Sequence, residues 1–486
     1  MNYRMIKYTL GWLMLFEAAF FLLPLITGIV FLEKATLSFL YSMLAVGAVG
    51  ALFVLKKPEN TKLYSRDGFM IVALSWIVLS LFGALPFVFS GATENYIDAF
   101  FETVSGFTTT GASVLADVEA LPKCVLIWRS FTNWIGGMGV LVFIMAFLPL
   151  SGAHNMNIMR AESPGPSVSK LVPKVKTTAL ILYLIYFGLT ALQFVLLLFG
   201  KMNAFDALNA AFSTAGTGGF SVNNDSFVSY SSYVQVVTAI FMLVFSVNFA
   251  SYYLAFRGKI KESLNTEVRV FLIVVVAAVG IISLDNYFNG DYQSFGEALK
   301  HSLFNTSSII STTGFASADY NLWPALSKTV LVLIMFIGAC AGSTGGGIKV
   351  SRLVILVKGM AREVRTIIHP RRVRKISIDG KEVDREVVRS VNAYMMCYII
   401  VFVVSLLLIS FEEHDLTTNF TAVAATINNI GPGLELVGPT GNYAFFSGFS
   451  KLVLSFDMLA GRLELFPMLI LFYPGTYKKQ YNTLHK

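Results

Sequence analysis

"STTGFAS", residues 311–317, sets hydroxyl side chains and a glycine between two strongly apolar segments, where a plain turn would need less. Alone it reads as a turn. Three other stretches change that reading once their glycines are placed in register with Gly314: "VSGFTTTGAS" around Gly111, "FSTAGTGGFS" around Gly219 and "AATINNIGPG" around Gly431. Two residues before each glycine stand Thr109, Thr217, Thr312 and Asn429, and six before stand Ser105, Ser213, Ser308 and Ala425. Eleven before stand Phe100, Leu208, Leu303 and Phe420, each opening a stretch long enough for about three helical turns. The glycines are 108, 95 and 117 residues apart. That is too irregular for a stacked solenoid, but it suits a unit of span, re-entrant helix and span used four times.

The flanking sequence supplies the spans. Of 486 residues, 55% are hydrophobic and 14% charged, with mean hydropathy +0.66, a composition foreign to ordinary soluble domains. Ten runs are long enough to cross the roughly 30 Å hydrocarbon layer as helices. They are Leu10–Leu32, Leu37–Leu55, Phe69–Phe89, Val125–Leu150, Ala179–Phe199, Val234–Phe256, Val268–Leu284, Leu326–Leu356, Val391–Ile409 and Leu452–Phe472. Arg4 and Lys7 precede the first run, which is too long for the core of a secretory signal and lacks a small-residue cleavage site, so it reads as an uncleaved span. The sequence thus predicts an all-α integral membrane protein. Its units divide as two N-terminal spans at 1–60, pore repeats at 61–165, 166–262 and 263–360, a basic segment at 361–390 and a fourth pore repeat at 391–486.

Charge orients the spans. Segments 56–66, 151–176, 257–269 and 349–389, with both termini, hold 29 of the 37 Lys and Arg residues, which places them and the termini on the cytoplasmic side. Segments 91–123, 201–230, 285–328 and 411–451 hold five Lys against fifteen Asp or Glu, a balance that concentrates cations at the outer mouth. The net charge of +8 is therefore a topology signal, and nucleic acid is not an expected partner.

Irregular backbone at membrane depth survives only inside protein or along a watery cavity. Four extended strands converging there offer a ring of carbonyl oxygens able to replace a cation's hydration shell. Glycine permits the left-handed torsions such strands need, and each preceding helix points its negative end at the ion. The expected ion-binding residues are Thr109, Thr110, Gly111 and Ala112; Thr217, Gly218, Gly219 and Phe220; Thr312, Thr313, Gly314 and Phe315; and Asn429, Ile430, Gly431 and Pro432. On this reading the hydroxyls are secondary to the backbone.

A second feature is "IGACAGSTGGGIK", residues 337–349. Five glycines in ten positions, each costing about 1 kcal/mol in a helix interior, predict a break around Gly342–Gly347. Small residues of this kind serve either close helix packing or a flexible loop on a transport path. Lys349 at the inner end either meets neighbouring carbonyls or anchors at the interface. Arg462 lies about ten residues into an apolar span, where a charge is costly, and either pairs with Asp457 or Glu464 or faces the interior. Glu17 and Arg129 are also intramembrane charges, read as packing pairs or interfacial groups. Cys124, Cys340 and Cys397 read as packing residues, and the five histidines lack metal-ligand spacing. "GSTGGGIK" does not have the glycine spacing of a phosphate loop, and no nucleophile–base set is evident, so no enzyme is expected.

At "GFTTTGAS", "GTGGFS", "STTGFAS" and "NNIGPGLE" the sequence resembles the Trk/Ktr/HKT superfamily of potassium transporters, and the two extra N-terminal spans favour its TrkH type. The resemblance covers the whole chain and implies potassium uptake across a bacterial inner membrane, with potassium as substrate and no cofactor in the chain. Glycine at all four register positions implies potassium selectivity. The fourth segment departs from the pattern with Asn429, Ile430 and Pro432, so fourfold symmetry is approximate. The resemblance further implies a gate formed by Gly342, Gly345, Gly346, Gly347 and Lys349, with Arg462 beneath it. The basic stretch 358–389 reads on its own as positive-inside topology and contact with anionic lipid, and the resemblance adds a homodimer and a cytosolic nucleotide-binding partner of the TrkA type. Two alternatives keep some of these features: a sodium-permeable or ion-coupled transporter of the same architecture, and an organic-solute transporter, which would be expected to show inverted repeats.

Overall fold

The computed structural model describes residues 1–60, 63–139, 175–370 and 375–477. The inner part of the expected span Val125–Leu150, nearly all of segment 151–176 and the C-terminal lysines lie outside the described residues.

Among the described residues, six helices are long and apolar enough to cross a membrane: Tyr3–Val30, Thr36–Val54, Arg66–Ser90, Thr177–Phe199, Thr266–Asn289 and Arg385–Glu412. The other expected spans run past the described residues or are interrupted. Residues 234–256 form two helices, Ser232–Ser246 and Phe249–Phe256, bent by 93°. Val247 is extended there, and Asn248 restarts the chain by accepting from the Ala250 amide at 2.8 Å. Residues 326–356 split into Ala325–Ile337 and Val350–Ile368, so the break is wider than the glycines alone predict. The last expected span splits into Gly448–Arg462 and Phe466–Phe472, because Glu464 and Leu465 turn left-handed (φ +58° and +67°) and Pro467 opens the second piece. Arg462 therefore ends a helix instead of sitting in the middle of one.

Four short helices carry the glycine segments to the interior: Tyr96–Phe107, Ala204–Gly216, Phe295–Ile310 and Leu416–Ile427. Each starts at a side-chain cap, a signal within reach of sequence reading. Asn95 accepts from the Asp98 amide at 2.9 Å, Asn203 from Asp206 at 2.8 Å, Ser294 from Glu297 at 3.2 Å and Asp415 from Thr418 at 2.9 Å. Such caps contribute about 1 kcal/mol each, and the acid in the first turn of the first three also suits the helix dipole.

Each short helix packs against the long helices beside it in sequence and against the helix that follows the previous short helix. Thus Tyr96–Phe107 touches Gly448–Arg462, Ala204–Gly216 touches Lys123–Gly137, Phe295–Ile310 touches Ser232–Ser246, and Leu416–Ile427 touches Ala325–Ile337. This chain of contacts closes on itself. Tyr3–Phe20 and Thr36–Val54 pack on each other outside it, and Leu22–Val30 lies on Lys123–Gly137, where Phe21 meets Trp128 at 4.7 Å between ring centroids.

One element departs from the all-helical expectation. Ser377–Ile378 pairs antiparallel with Lys381–Glu382 across an Asp379-Gly380 turn whose φ values are +50° and +75°. Asp-Gly is a favoured two-residue hairpin connection. Asp379 also accepts from the Thr266 hydroxyl at 2.6 Å, which holds this hairpin to the start of Thr266–Asn289.

Candidate functional site

The four glycine segments have one backbone shape. Thr109, Thr217, Thr312 and Asn429 are all left-handed, with φ of +56°, +55°, +61° and +55°, and Gly111, Gly219, Gly314 and Gly431 follow at +82°, +70°, +88° and +96°. Between these two positions the amides of Thr110, Gly218, Thr313 and Ile430 each reach back to a carbonyl five residues earlier at 2.8 Å. The reason is geometric: the closing bond needs a left-handed residue at the helix end, and Asn tolerates that conformation better than other non-glycine residues. Thr at three of these positions is held by the bond against its own preference.

The segments meet in a ring. A Cβ on Gly111 would lie 2.3 Å from the Gly218 carbonyl oxygen, one on Gly219 2.0 Å from Thr313, one on Gly314 2.1 Å from Ile430, and one on Gly431 2.6 Å from Thr110. Every glycine therefore abuts the carbonyl just before the next segment's glycine, and the order closes from fourth to first. A side chain at any of the four would displace backbone. Of the residues one step further on, Ala112 is buried, Phe220 and Phe315 turn into aromatic or cationic contacts, and Pro432 packs beside Gly314.

A cavity of about 160 Å³ opens outside the ring, lined by all four glycines together with Arg129 and Tyr443. The joints between segments differ. Arg129 pairs with Glu102 at 2.8 Å and donates to the Ser221 carbonyl at 3.1 Å, joining the first and second segments. The Phe227 amide donates to the Ala316 carbonyl at 2.9 Å, and the Ala316 amide to the Ser226 hydroxyl at 3.1 Å, joining the second and third. Asn321 exchanges hydrogen bonds with the Glu435 backbone at 3.0 and 3.1 Å, and Tyr443 donates to the Gly431 carbonyl at 2.7 Å while its amide reaches Ser113. At the rim, the Asn224 amide and two backbone amides hold the Asp117 carboxyl below its ordinary range, so it stays anionic in mild acid.

The glycine-rich connection lies directly on the inner side of the ring. The Gly346 amide donates to Thr312 Oγ1 at 2.6 Å, and a Cβ on Gly346 would lie 2.3 Å from the Asn428 carbonyl. Gly345 fits against the Ser311 carbonyl, and Gly347 packs on Gly338. The broken helix beside the loop completes its hydrogen bonding: Cys340 donates to Ser246 at 3.0 Å, Thr344 Oγ1 to Phe245 at 3.1 Å, and Phe249 donates to the Gly342 carbonyl at 3.1 Å. Two interrupted helices thus satisfy each other's free backbone groups, which is why both breaks persist in the interior.

Charged groups hold the loop. Arg462 donates to the Thr344 carbonyl at 2.7 Å and to the Gly136 and Gly137 carbonyls at 2.5 and 2.7 Å. Lys349 is 2% exposed and its ammonium reaches the Gly345 carbonyl, so it is not at the interface. Glu464 pairs with Arg352, whose guanidinium lies 4.0 Å from the Tyr394 ring centroid. Asp457 accepts from the Ser405 hydroxyl at 2.6 Å. Glu17 is fully buried, close beside Gly83.

Three contributors are not legible as site residues in the sequence. Glu102 sits nine residues before Gly111 in an amphipathic stretch, and only its partner Arg129, 27 residues later, explains it. Glu267 accepts from the Ala341 amide at 2.7 Å and the Ser351 amide at 3.1 Å, clasping both ends of the loop from another helix. Asn133 packs its side chain on Gly218. Among the described residues no group of three or more His, Cys, Asp or Glu is placed to hold a metal ion.

Comparison with known proteins identifies the family. A family model described as a cation transport protein, TrkH, matches residues 34–479. The Trk system potassium uptake protein TrkH of Salmonella typhimurium is 36% identical over 486 residues, covering 99% of this chain and 100% of the relative. The Trk system potassium uptake protein TrkG of Escherichia coli is 34% identical over 476 residues, with 96% and 97% covered. The crystal structure of the potassium transporter TrkH from Vibrio parahaemolyticus superposes with a TM-score of 0.89 at 34% identity, covering 98% of this chain and all of the other. These relatives are transporters, and their cover leaves no major part of the chain unmatched. The chain is a multi-pass membrane protein that belongs to the TrkH family of cation transport proteins.

Proposed function

We propose that this chain takes potassium across a bacterial inner membrane through a pore whose filter is the four-glycine ring. The observation that carries the reading is the closed order of contacts in which each glycine abuts the carbonyl before its neighbour. The carbonyls of Thr109 to Ala112, Thr217 to Phe220, Thr312 to Phe315 and Asn429 to Pro432 are the ion's ligands. They take the place of water oxygens, and the four short helices direct their negative ends at the same point. The architecture is ten spans and four re-entrant helices, with both termini cytoplasmic.

The loop from Gly338 to Lys349 is the gate, because its backbone is tied to the inner side of the ring through Gly346 and Thr312. Arg462 holds the loop shut by its bonds to Thr344, Gly136 and Gly137, and its positive charge opposes a cation on the inner side. The chain acts as a homodimer with a cytosolic nucleotide-binding partner of the TrkA type, for which the basic segment 358–389 is the docking surface.

Purified protein in liposomes tests the reading. Potassium and rubidium enter down their gradients and sodium lags; equal sodium entry favours a sodium-permeable pore, and entry only under an imposed proton gradient favours a coupled transporter.

A further inference from the structure

We propose that Glu102 is a positioning residue for cation passage, acting with Arg129 as a charge-neutral staple between the first and second ring segments. The inference rests on the cation-conducting reading above. Arg129 lines the cavity outside the ring, yet it is 2% exposed, and Glu102 is fully buried. The guanidinium Nε donates to Glu102 at 2.8 Å, one terminal nitrogen to the Ser113 hydroxyl at 3.3 Å and the other to the Ser221 carbonyl at 3.1 Å. Ser113 and Ser221 each stand two residues beyond a ring glycine, so one side chain fixes the separation of two ring segments at their outer ends. Its plane also lies 4.2 Å from the Phe220 ring centroid, which leaves it little freedom.

Glu102 completes the device on the first segment by accepting from the Ser113 hydroxyl at 3.0 Å and the Val114 amide at 3.0 Å. The register equivalents of Glu102 are Ala210, Asn305 and Ala422, all uncharged. Neutral side chains and backbone carry the contacts described at the other three joints. A lone guanidinium at the mouth of a cation path repels the ion it should admit; paired with a buried carboxylate it keeps its reach across the joint and loses its net charge. The carboxylate therefore does two things: it orients the staple and cancels its field.

These two effects separate in flux measurements on protein in liposomes, with potassium varied and sodium competing. Glu102→Gln leaves the positive charge unbalanced, and the apparent KM for potassium rises at least tenfold. The double change Glu102→Gln with Arg129→Gln removes the charge and returns KM to within threefold of the unaltered protein. Arg129→Lys keeps the charge but not the planar fork, so KM stays close while discrimination against sodium falls at least fivefold. Gel filtration checks folding. A Glu102→Gln protein with unaltered KM overturns the proposal. If that variant does not fold, Arg129→Lys and the double variant decide, and sodium discrimination equal to that of the unaltered protein in both overturns it. Unaltered protein that passes no potassium defeats the conduction reading instead.

Discussion

The Gly346 amide donates to Thr312 Oγ1 at 2.6 Å, which ties the glycine-rich loop to the inner side of the ring by one buried bond. Thr312 thus belongs to both parts of the site: its backbone turns left-handed to form the ring, and its hydroxyl docks the loop. The account therefore predicts that Thr312→Val, which keeps the side-chain shape and removes the acceptor, loosens the loop. A neutral hydrogen bond contributes about 1 kcal/mol, so rubidium uptake into liposomes rises roughly fivefold. Uptake at or below the unaltered rate contradicts this role.

Arg462 supplies the stronger hold. A hydrogen bond to a charged group contributes about 1.5–3 kcal/mol, so losing the bond to Thr344 alone shifts the closed–open balance by roughly tenfold to a hundredfold. Arg462→Met keeps the apolar stem and is expected to give the largest rise in basal potassium flux of the substitutions considered. Flux that stays low in a folded Arg462→Met protein separates Arg462 from gating.

Glu267 clasps both ends of the loop from a neighbouring helix. Glu267→Ala leaves the amides of Ala341 and Ser351 without their partner, at a cost of about 1–3 kcal/mol for each buried group. Hydrogen exchange followed by mass spectrometry reads this directly: peptides spanning 338–351 exchange faster, while those of Tyr96–Phe107 do not change. Equal protection in the loop shows that Glu267 does not hold it.

How much of this was open to sequence reading follows from where each signal lies. The register of Gly111, Gly219, Gly314 and Gly431 was legible because a backbone requirement forces one residue type at one spacing, whatever surrounds it. The break at Val247 was hidden, since apolar composition continues across it, and the one at Glu464 showed only as charges inside an apolar run, although Asn248 and Pro467 are the local signs of a helix starting anew. Arg462 was visible as a misplaced charge, but its partners are carbonyls of Thr344, Gly136 and Gly137, which every residue possesses and no sequence marks. Arg129 read as a packing-pair or interfacial charge with no partner named, and Glu102 drew no reading, because their meeting depends on the packing of a short helix against the long one after it. The hydroxyls read as secondary to the ring backbone, yet that of Thr312 carries the tie to the loop.

The central claim is that the glycine ring selects the ion, and Gly314→Ser tests it most directly. A Cβ there would lie 2.1 Å from the Ile430 carbonyl oxygen and 2.8 Å from Pro432, so the third and fourth segments must separate to admit it. In liposomes holding matched amounts of folded protein, the account predicts that the rubidium-to-sodium flux ratio of Gly314→Ser falls at least tenfold below that of the unaltered protein. An unchanged ratio would contradict the ring as the filter.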